Sequence, residues 1–339
     1  MHFLLFLICF VSLVFSLSPP SSRTVPPSGA FVVRAGTTTS GEFASLAAAV
    51  SALPSDTSAQ TIFIFPGTYQ GQVNIQRNGP VTIFGYSDNP GSQASNTVIL
   101  SASVDATTAG SDDASGTLRI HTDNVNIYNV NIRNDFGPGI QAIALSNYGN
   151  QVGLYACGLY GYQDTLYTNQ GIHVYLQGYI EGAVDFIFGK LSQAYFEGNT
   201  IAIAGPGCIT ADGRQSDDAG IYLFNENTIE LAPSPASGTS GNIFFGRPWR
   251  DIDWARVILK ATTVTAPMNP ALWSEWNAAT PNTDHVTYAD YQTTGPGIPS
   301  SVARPSFVSV LTAPEATQYT IASALGSDYT AWVDADYLL

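Results

Sequence analysis

Charge is scarce in this 339-residue chain. Only 11% of the residues are Asp, Glu, Lys or Arg, and 12 basic side chains face 26 acidic ones, for a formal net charge of −14. So few cations exclude a phosphate backbone as partner, because affinity for nucleic acid rests on Lys and Arg. Cysteine is equally sparse: Cys9, Cys157 and Cys208 are all there is, too few for the disulfide framework of a stapled extracellular domain, so stability must come from packing. Histidine occurs four times, at His2, His121, His173 and His285, with no ligand spacing, and no metal site is expected. There is no Gly-x-Ser-x-Gly and no Gly-rich phosphate loop. The longest apolar stretch, Phe3 to Phe15, covers 13 residues with Ser12 as its one polar member, short of the roughly 18 to 20 that a membrane span needs.

That run lies in MHFLLFLICFVSLVFSLS, residues 1–18, and is followed by Pro19 and Pro20. It reads as a secretion signal, with His2 as its one weakly basic flank, and predicts an extracellular protein. Residues 19–29, PPSSRTVPPSG, form a Pro- and Ser-rich leader without apolar periodicity. The remainder, 30–339, is expected to be a single domain, since no linker interrupts it. With the signal removed, Cys157 and Cys208 remain, 51 positions apart, and both are expected to be buried free thiols.

What the chain does have is 45% hydrophobic and 12% aromatic residues, enough for a packed core. Ala30 to Arg34 alternates like a strand. Ser40 to Leu53, SGEFASLAAAVSAL, repeats apolar residues at helical spacing behind a serine able to cap it, and suits a plug for the open end of a repeat stack. From about residue 60, short β-rich runs alternate with Gly, Asn and Asp: TIFIF, VTIFGY, VNIYNVNIRN, VGLYAC, HVYLQGYIEG, AYFEGNTIAI, IYLFNENTIEL. Runs this short and numerous mean an all-β chain, and asparagines at strand ends fit a parallel solenoid, where each amide can stack on its counterpart. The last third, richer in Pro and Trp, reads as long loops against the stack, and the polar C-terminal stretch as a cover for its final turns.

Gln141, Gln163 and Asp185 stand 22 residues apart, and Asp164 follows Gln163 directly. If about 22 residues make one coil, these positions lie about 4.8 Å apart on successive rungs. Asp164, in GYQDTLY, and Asp185, in DFIFG, then form a carboxyl pair whose mutual repulsion raises one pKa and leaves the other group ionised. Such a pair also occurs in structural and metal-linked settings. Two amides beside it suit an oxyanion on a carbonyl becoming tetrahedral, or a glutamine ladder stiffening the coil. Arg247, in FGRPW, can hold one carboxylate bidentately. Trp249, Phe188 and Tyr162 can stack on sugar rings, or else serve as core.

Together QAIAL (141–145), GYQDTLY (161–167), DFIFG (185–189) and FGRPW (245–249), in that order and spacing, closely resemble the carbohydrate-esterase family of pectin methylesterases. The resemblance extends to AFVVRAG (30–36), PGTY (66–69), ITADGR (209–214), LWSEW (272–276) and TYADYQTTGPG (287–297), nearly all of the chain beyond the leader. It implies a right-handed parallel β-helix that hydrolyses the C6 methyl ester of galacturonate in pectin, releasing methanol without a cofactor. Carried over by position, Asp185 resembles the nucleophile and Asp164 the acid and base. Gln141 and Gln163 match the oxyanion amides, Arg247 the arginine orienting the nucleophile, and Trp249 and Phe188 the substrate-contacting aromatics. The compact form looks microbial, of fungal type, and needs no association, so a monomer is expected. No Asn-x-Ser/Thr sequon occurs. The acidic surface is expected to repel the demethylated, polyanionic product. Two other readings stand beside this one. A pectin lyase or polygalacturonase would share the fold but has no role for paired amides aimed at a carbonyl oxygen. A wall-binding protein that had lost its chemistry would not keep every member of the set.

Overall fold

Short runs of alternating and β-branched residues end wherever Gly, Asn or Asp turns the chain, so among the described residues no strand exceeds six residues and each must seek its partners on neighbouring coils. In the computed structural model, which describes residues 18–249 and 254–339, they find them in three long sheets of twelve, eight and seven strands. Neighbours within each sheet are parallel and, except at the two ends of the twelve-stranded sheet, non-consecutive in sequence, as in the pairings of Val152–Tyr155, Leu166–Thr168 and Tyr179–Gly182. From Gln60–Ile64 to Ile243–Pro248 the chain thus visits the three sheets in turn on each coil, a right-handed parallel β-helix. The proposed signal lies, but for Ser18, outside the described residues.

The interior is built of like on like. In register on successive strands of the twelve-stranded sheet stand Ile83, Ile127, Leu154, Tyr175, Phe196, Phe224 and Leu259, all buried in one core. Tyr175 and Phe196 stack at 4.8 Å, and Phe196 and Phe224 at 4.4 Å. Stacking between coils buries each side chain against its neighbours above and below, which a lone coil could not do. Asparagines close the turns as expected: Asn199 Nδ2 donates to Asn227 Oδ1 at 3.0 Å, and Asn227 Nδ2 to the Phe196 carbonyl at 2.9 Å. Cys157 and Cys208 are buried and unbridged.

Three expectations need correction. The N-terminal helix is shorter, Leu46–Ala52, and its cap is Ser45, whose Oγ accepts from Ala48 N at 3.2 Å; Glu42–Phe43 is drawn instead into a strand beside Val32 and Val33. Leu46 and Ala49 still join the main core at that end. The C-terminal stretch does not cover the final turns alone. It runs back along the outer face of the twelve-stranded sheet, where Ala324, Leu325, Val333 and Tyr337 pack with Tyr155, Leu176 and Leu223, and the Tyr337 hydroxyl reaches the Pro90 carbonyl at 3.2 Å. Lastly, the coil that carries the carboxylates advances by 21 residues, not 22: Leu145 pairs with Leu166, Leu166 with Ile187, and Gln163 with Val184.

Candidate active site

A register of 21 sets Asp164 opposite Asp185 directly, on the bend that leads from the eight-stranded to the seven-stranded sheet. Asp164 lies between strands Gly158–Tyr160 and Leu166–Thr168, Asp185 between Tyr179–Gly182 and Ile187–Gly189. Both residues are left-handed, with φ of 65° and 52°, a conformation that Asp tolerates better than most residues yet still at a cost of about 1 to 3 kcal/mol. The ladder holds them there: Asp164 N donates to the Val184 carbonyl at 3.0 Å and Asp185 N to the Cys208 carbonyl at 2.8 Å. One strand spacing, about 4.8 Å, therefore separates the two backbones.

Arg247 comes from Ile243–Pro248, two strands further along the same sheet. Its register partner is Ala211, itself opposite Phe188, and the small alanine leaves room for the guanidinium to cross the rung. Nε donates to Asp185 Oδ1 at 2.9 Å and Nη2 to Oδ2 at 2.7 Å. Trp276 holds the other side of the fork, with the guanidinium carbon 4.3 Å from its ring centroid. Trp276 closes the LWSEW motif, and its distance of 29 positions from Arg247 hides the contact in the sequence.

Asp164 and Asp185 are 8% and 7% exposed, so both carboxyls are pushed up by loss of water. The two environments then diverge. Asp164 rises well above the usual carboxylate range, through burial first, then through the charges of Asp185 and Asp112, with Arg247 opposing. Asp185 is raised by burial but drawn back by the hydrogen bonds and charge of Arg247. The pair accordingly holds its first proton on Asp164 and its negative charge on Asp185.

Gln163 adjoins Asp164, and Gln141 precedes by one position the residue, Ala142, whose N–H donates to the Gln163 carbonyl at 3.1 Å. Both glutamines are half-buried, and neither carboxamide is committed to a hydrogen bond among the described residues. Phe188 is 1% exposed; it stacks on Tyr167 at 4.4 Å and meets Trp249 edge-on at 5.7 Å. The half-buried Trp249 is thus the face of that cluster next to solvent, and Phe188 sits beneath it. Tyr162, also half-buried, lays its ring against Gly205, where a Cβ would come within 2.3 Å of the hydroxyl. Among the described residues no group of three His, Cys, Asp or Glu is placed to hold a metal ion.

A family model described as pectinesterase matches residues 31–328. The chain belongs to the pectinesterase family. A pectinesterase of Aspergillus aculeatus is 41% identical over 325 residues, covering 94% of this chain and 95% of that one, and one of Aspergillus niger is 39% identical over the same span lengths. The crystal structure of a pectin methylesterase from Aspergillus niger superimposes with a TM-score of 0.84 at 32% identity, over 93% of this chain and all of that one. A carrot pectin methylesterase, at 24% identity and a TM-score of 0.75 over 93% of this chain and 97% of that one, shares the fold. The resemblance read from the motifs therefore holds in family and in fold. As a pectinesterase this chain is a carboxylic ester hydrolase that de-esterifies pectin.

Proposed function

We propose that the chemistry is carried by Asp185 as nucleophile and Asp164 as acid and base. The observation behind this is the two-pronged Arg247 contact on Asp185 beside a more strongly shifted Asp164. A carboxylate oxygen of Asp185 attacks the C6 ester carbonyl, whose oxygen takes the charge and is met by the amides of Gln141 and Gln163. The C6–methoxy bond breaks as Asp164 gives its proton to the leaving oxygen, and methanol departs from a mixed anhydride on Asp185. Asp164, now a carboxylate, takes a proton from water as that water attacks the same carbonyl. The anhydride bond breaks, Asp185 leaves as carboxylate, and C6 leaves as a carboxylic acid that loses its proton to solvent. No redox step or bound cation is called for.

Arg247 keeps the nucleophile ionised and oriented, and Trp249 and Tyr162 contact the sugars, with Phe188 supporting Trp249 from below. We also infer secretion, a single catalytic domain over 30–339, action as a monomer and no nucleic-acid partner, supported by the apolar run before Ser18, the unbroken stack and the net charge of −14; no helix among the described residues is long and apolar enough to cross a membrane. The test is methanol release from highly methylated pectin, run beside Asp185→Ala and with a chelator. Release that survives chelation and is lost in the variant supports the assignment. New reducing ends or unsaturated products instead of methanol would overturn it.

A further inference from the structure

On the outer face of the eight-stranded sheet, Arg133, Tyr160 and Glu181 stand in one register column on three successive strands. The Arg133 guanidinium lies 4.7 Å from the Tyr160 ring centroid, and Tyr179 follows at 5.1 Å from the same ring. Gly158 makes the arrangement possible, because a Cβ there would lie 2.6 Å from the Tyr160 ring and 2.4 Å from Asn131 Oδ1. The polar tips are fixed: Tyr179 donates to Glu181 Oε2 at 2.6 Å, and Gln93 Nε2 donates to the Tyr160 hydroxyl at 2.8 Å. Above this row run two hollows of about 520 and about 340 Å³ that share Arg133, Tyr160 and Glu181. Ala94 borders the first on one side and Ser234 borders both on the other; the second hollow reaches Tyr162, two residues from Asp164.

The charge of this trough selects its occupant. Arg133 is paired with Asp135 at 3.0 Å, which leaves Glu181 as net charge on a chain already at −14. A polyanion is repelled there, whereas an uncharged polyol meets fixed acceptors on Glu181 and Asp135 and donors on Arg133, beside aromatic edges. We propose that the trough is an accessory site for a methyl-esterified, uncharged stretch of galacturonan, which holds the polymer while the carboxylate pair works next to it and loses its hold as the stretch is de-esterified. The proposal rests on pectin as substrate but not on the roles of Asp164 and Asp185.

Ala94 and Ser234 are exposed, so Ala94→Trp and Ser234→Trp obstruct the trough from opposite walls without touching the core or the carboxylates. In each, KM for highly methylated pectin is expected to rise about five-fold at unchanged kcat, the mark of lost uniform binding, while KM for a methyl-esterified trigalacturonate stays the same. Glu181→Gln is expected to make fully de-esterified polygalacturonate a several-fold stronger inhibitor at low salt, an effect that added salt removes. An unchanged polymer KM in both tryptophan variants, or a rise shared equally by the short substrate, would overturn the proposal. Methanol release persisting in Asp185→Ala would instead overturn the catalytic assignment and leave the KM effect of the trough intact.

Discussion

Replacing Arg247 by alanine removes both hydrogen bonds that Asp185 accepts from it, at 2.9 and 2.7 Å, and leaves a carboxylate only 7% exposed beside a second carboxyl. Hydrogen bonds to charged groups contribute about 1.5 to 3 kcal/mol each, so the ionised form of Asp185 loses about 3 to 6 kcal/mol. At 1.36 kcal/mol per pKa unit this raises its pKa by about 2 to 4 units. Below the new pKa the proposed nucleophile is protonated, and the ionised fraction falls by a factor of about 10² to 10⁴. Burial already pushes this group up, so the change adds to an existing shift.

The assay is the pH dependence of kcat/KM for methanol release, whose acid limb reports ionisation of the nucleophile in free enzyme. That limb is expected to move toward alkaline pH by about 2 units or more in Arg247→Ala. Arg247→Lys, which restores charge but not the fork, is expected to move it by less. Trp276→Ala loosens the guanidinium without removing it, a cation–π loss of about 0.5 to 2 kcal/mol, and should give the smallest displacement. An acid limb that stays in place while the rate falls equally at every pH would refute the reasoning, since Arg247 would then act on bound substrate and not on Asp185.

Four further outcomes follow from the same geometry. Asp164→Asn should lower kcat by about 10² to 10⁴ and yet stabilise the fold. A carboxyl whose folded pKa is raised loses stability as pH climbs from about 3.9 toward the folded value, at up to about 1.4 kcal/mol per pH unit; denaturation at pH 4 and pH 7 should therefore show a larger gain at pH 7, and an equal gain at both would contradict the shift. Burial pushes His173 down to about 4, so the unfolded chain takes up a proton on it below about 6.5 while the native state does not until about 4. Urea midpoints should fall across that window, and His173→Gln should flatten the slope. Gln141→Ala and Gln163→Ala should each reduce kcat by about 10² to 10³ with little effect on KM; steady-state kinetics showing mainly a KM effect would return them to the structural ladder.

Much of this was legible because the solenoid converts sequence spacing into distance. Asp164 and Asp185 meet since the coil between them holds no insertion, and DFIFG after GYQDTLY states as much. The interval of 22 shared by Gln141, Gln163 and Asp185 pointed to this patch for an inexact reason. The ladder runs at 21, so it is the two carboxylates, not the glutamines and Asp185, that stand face to face. Where coils lengthen, spacing stops being informative: Thr210 pairs with Gly246, and the reach of Arg247 to Asp185, like its contact with Trp276, depends on loop geometry that no period encodes. For Phe188 spacing is equally uninformative, because an aromatic beside a carboxylate looks the same in sequence whether it faces sugar or supports the residue that does.

The backbone adds an observation that side-chain spacing could not supply. One coil before Asp164 the register position is Ile143, and one coil after Asp185 it is Cys208; neither has positive φ, whereas both aspartates do. The coils on either side place their positive-φ residues at glycines elsewhere in this corner, Gly139 before and Gly207 after, so a left-handed residue at this register position is not a requirement of the helix. It is confined to the two rungs that carry carboxyls, and each instance costs stability. Asparagine or glycine would satisfy the same dihedral more easily. A strained bend that coincides with a buried pair of like-charged groups, one protonated and one clamped by a guanidinium, opposes folding on both counts. The stack on either side supplies the stability that holds it, and what the bend achieves is to aim two carboxyls at one point from adjacent rungs, as the double transfer proposed for Asp185 and Asp164 at a single ester carbonyl requires.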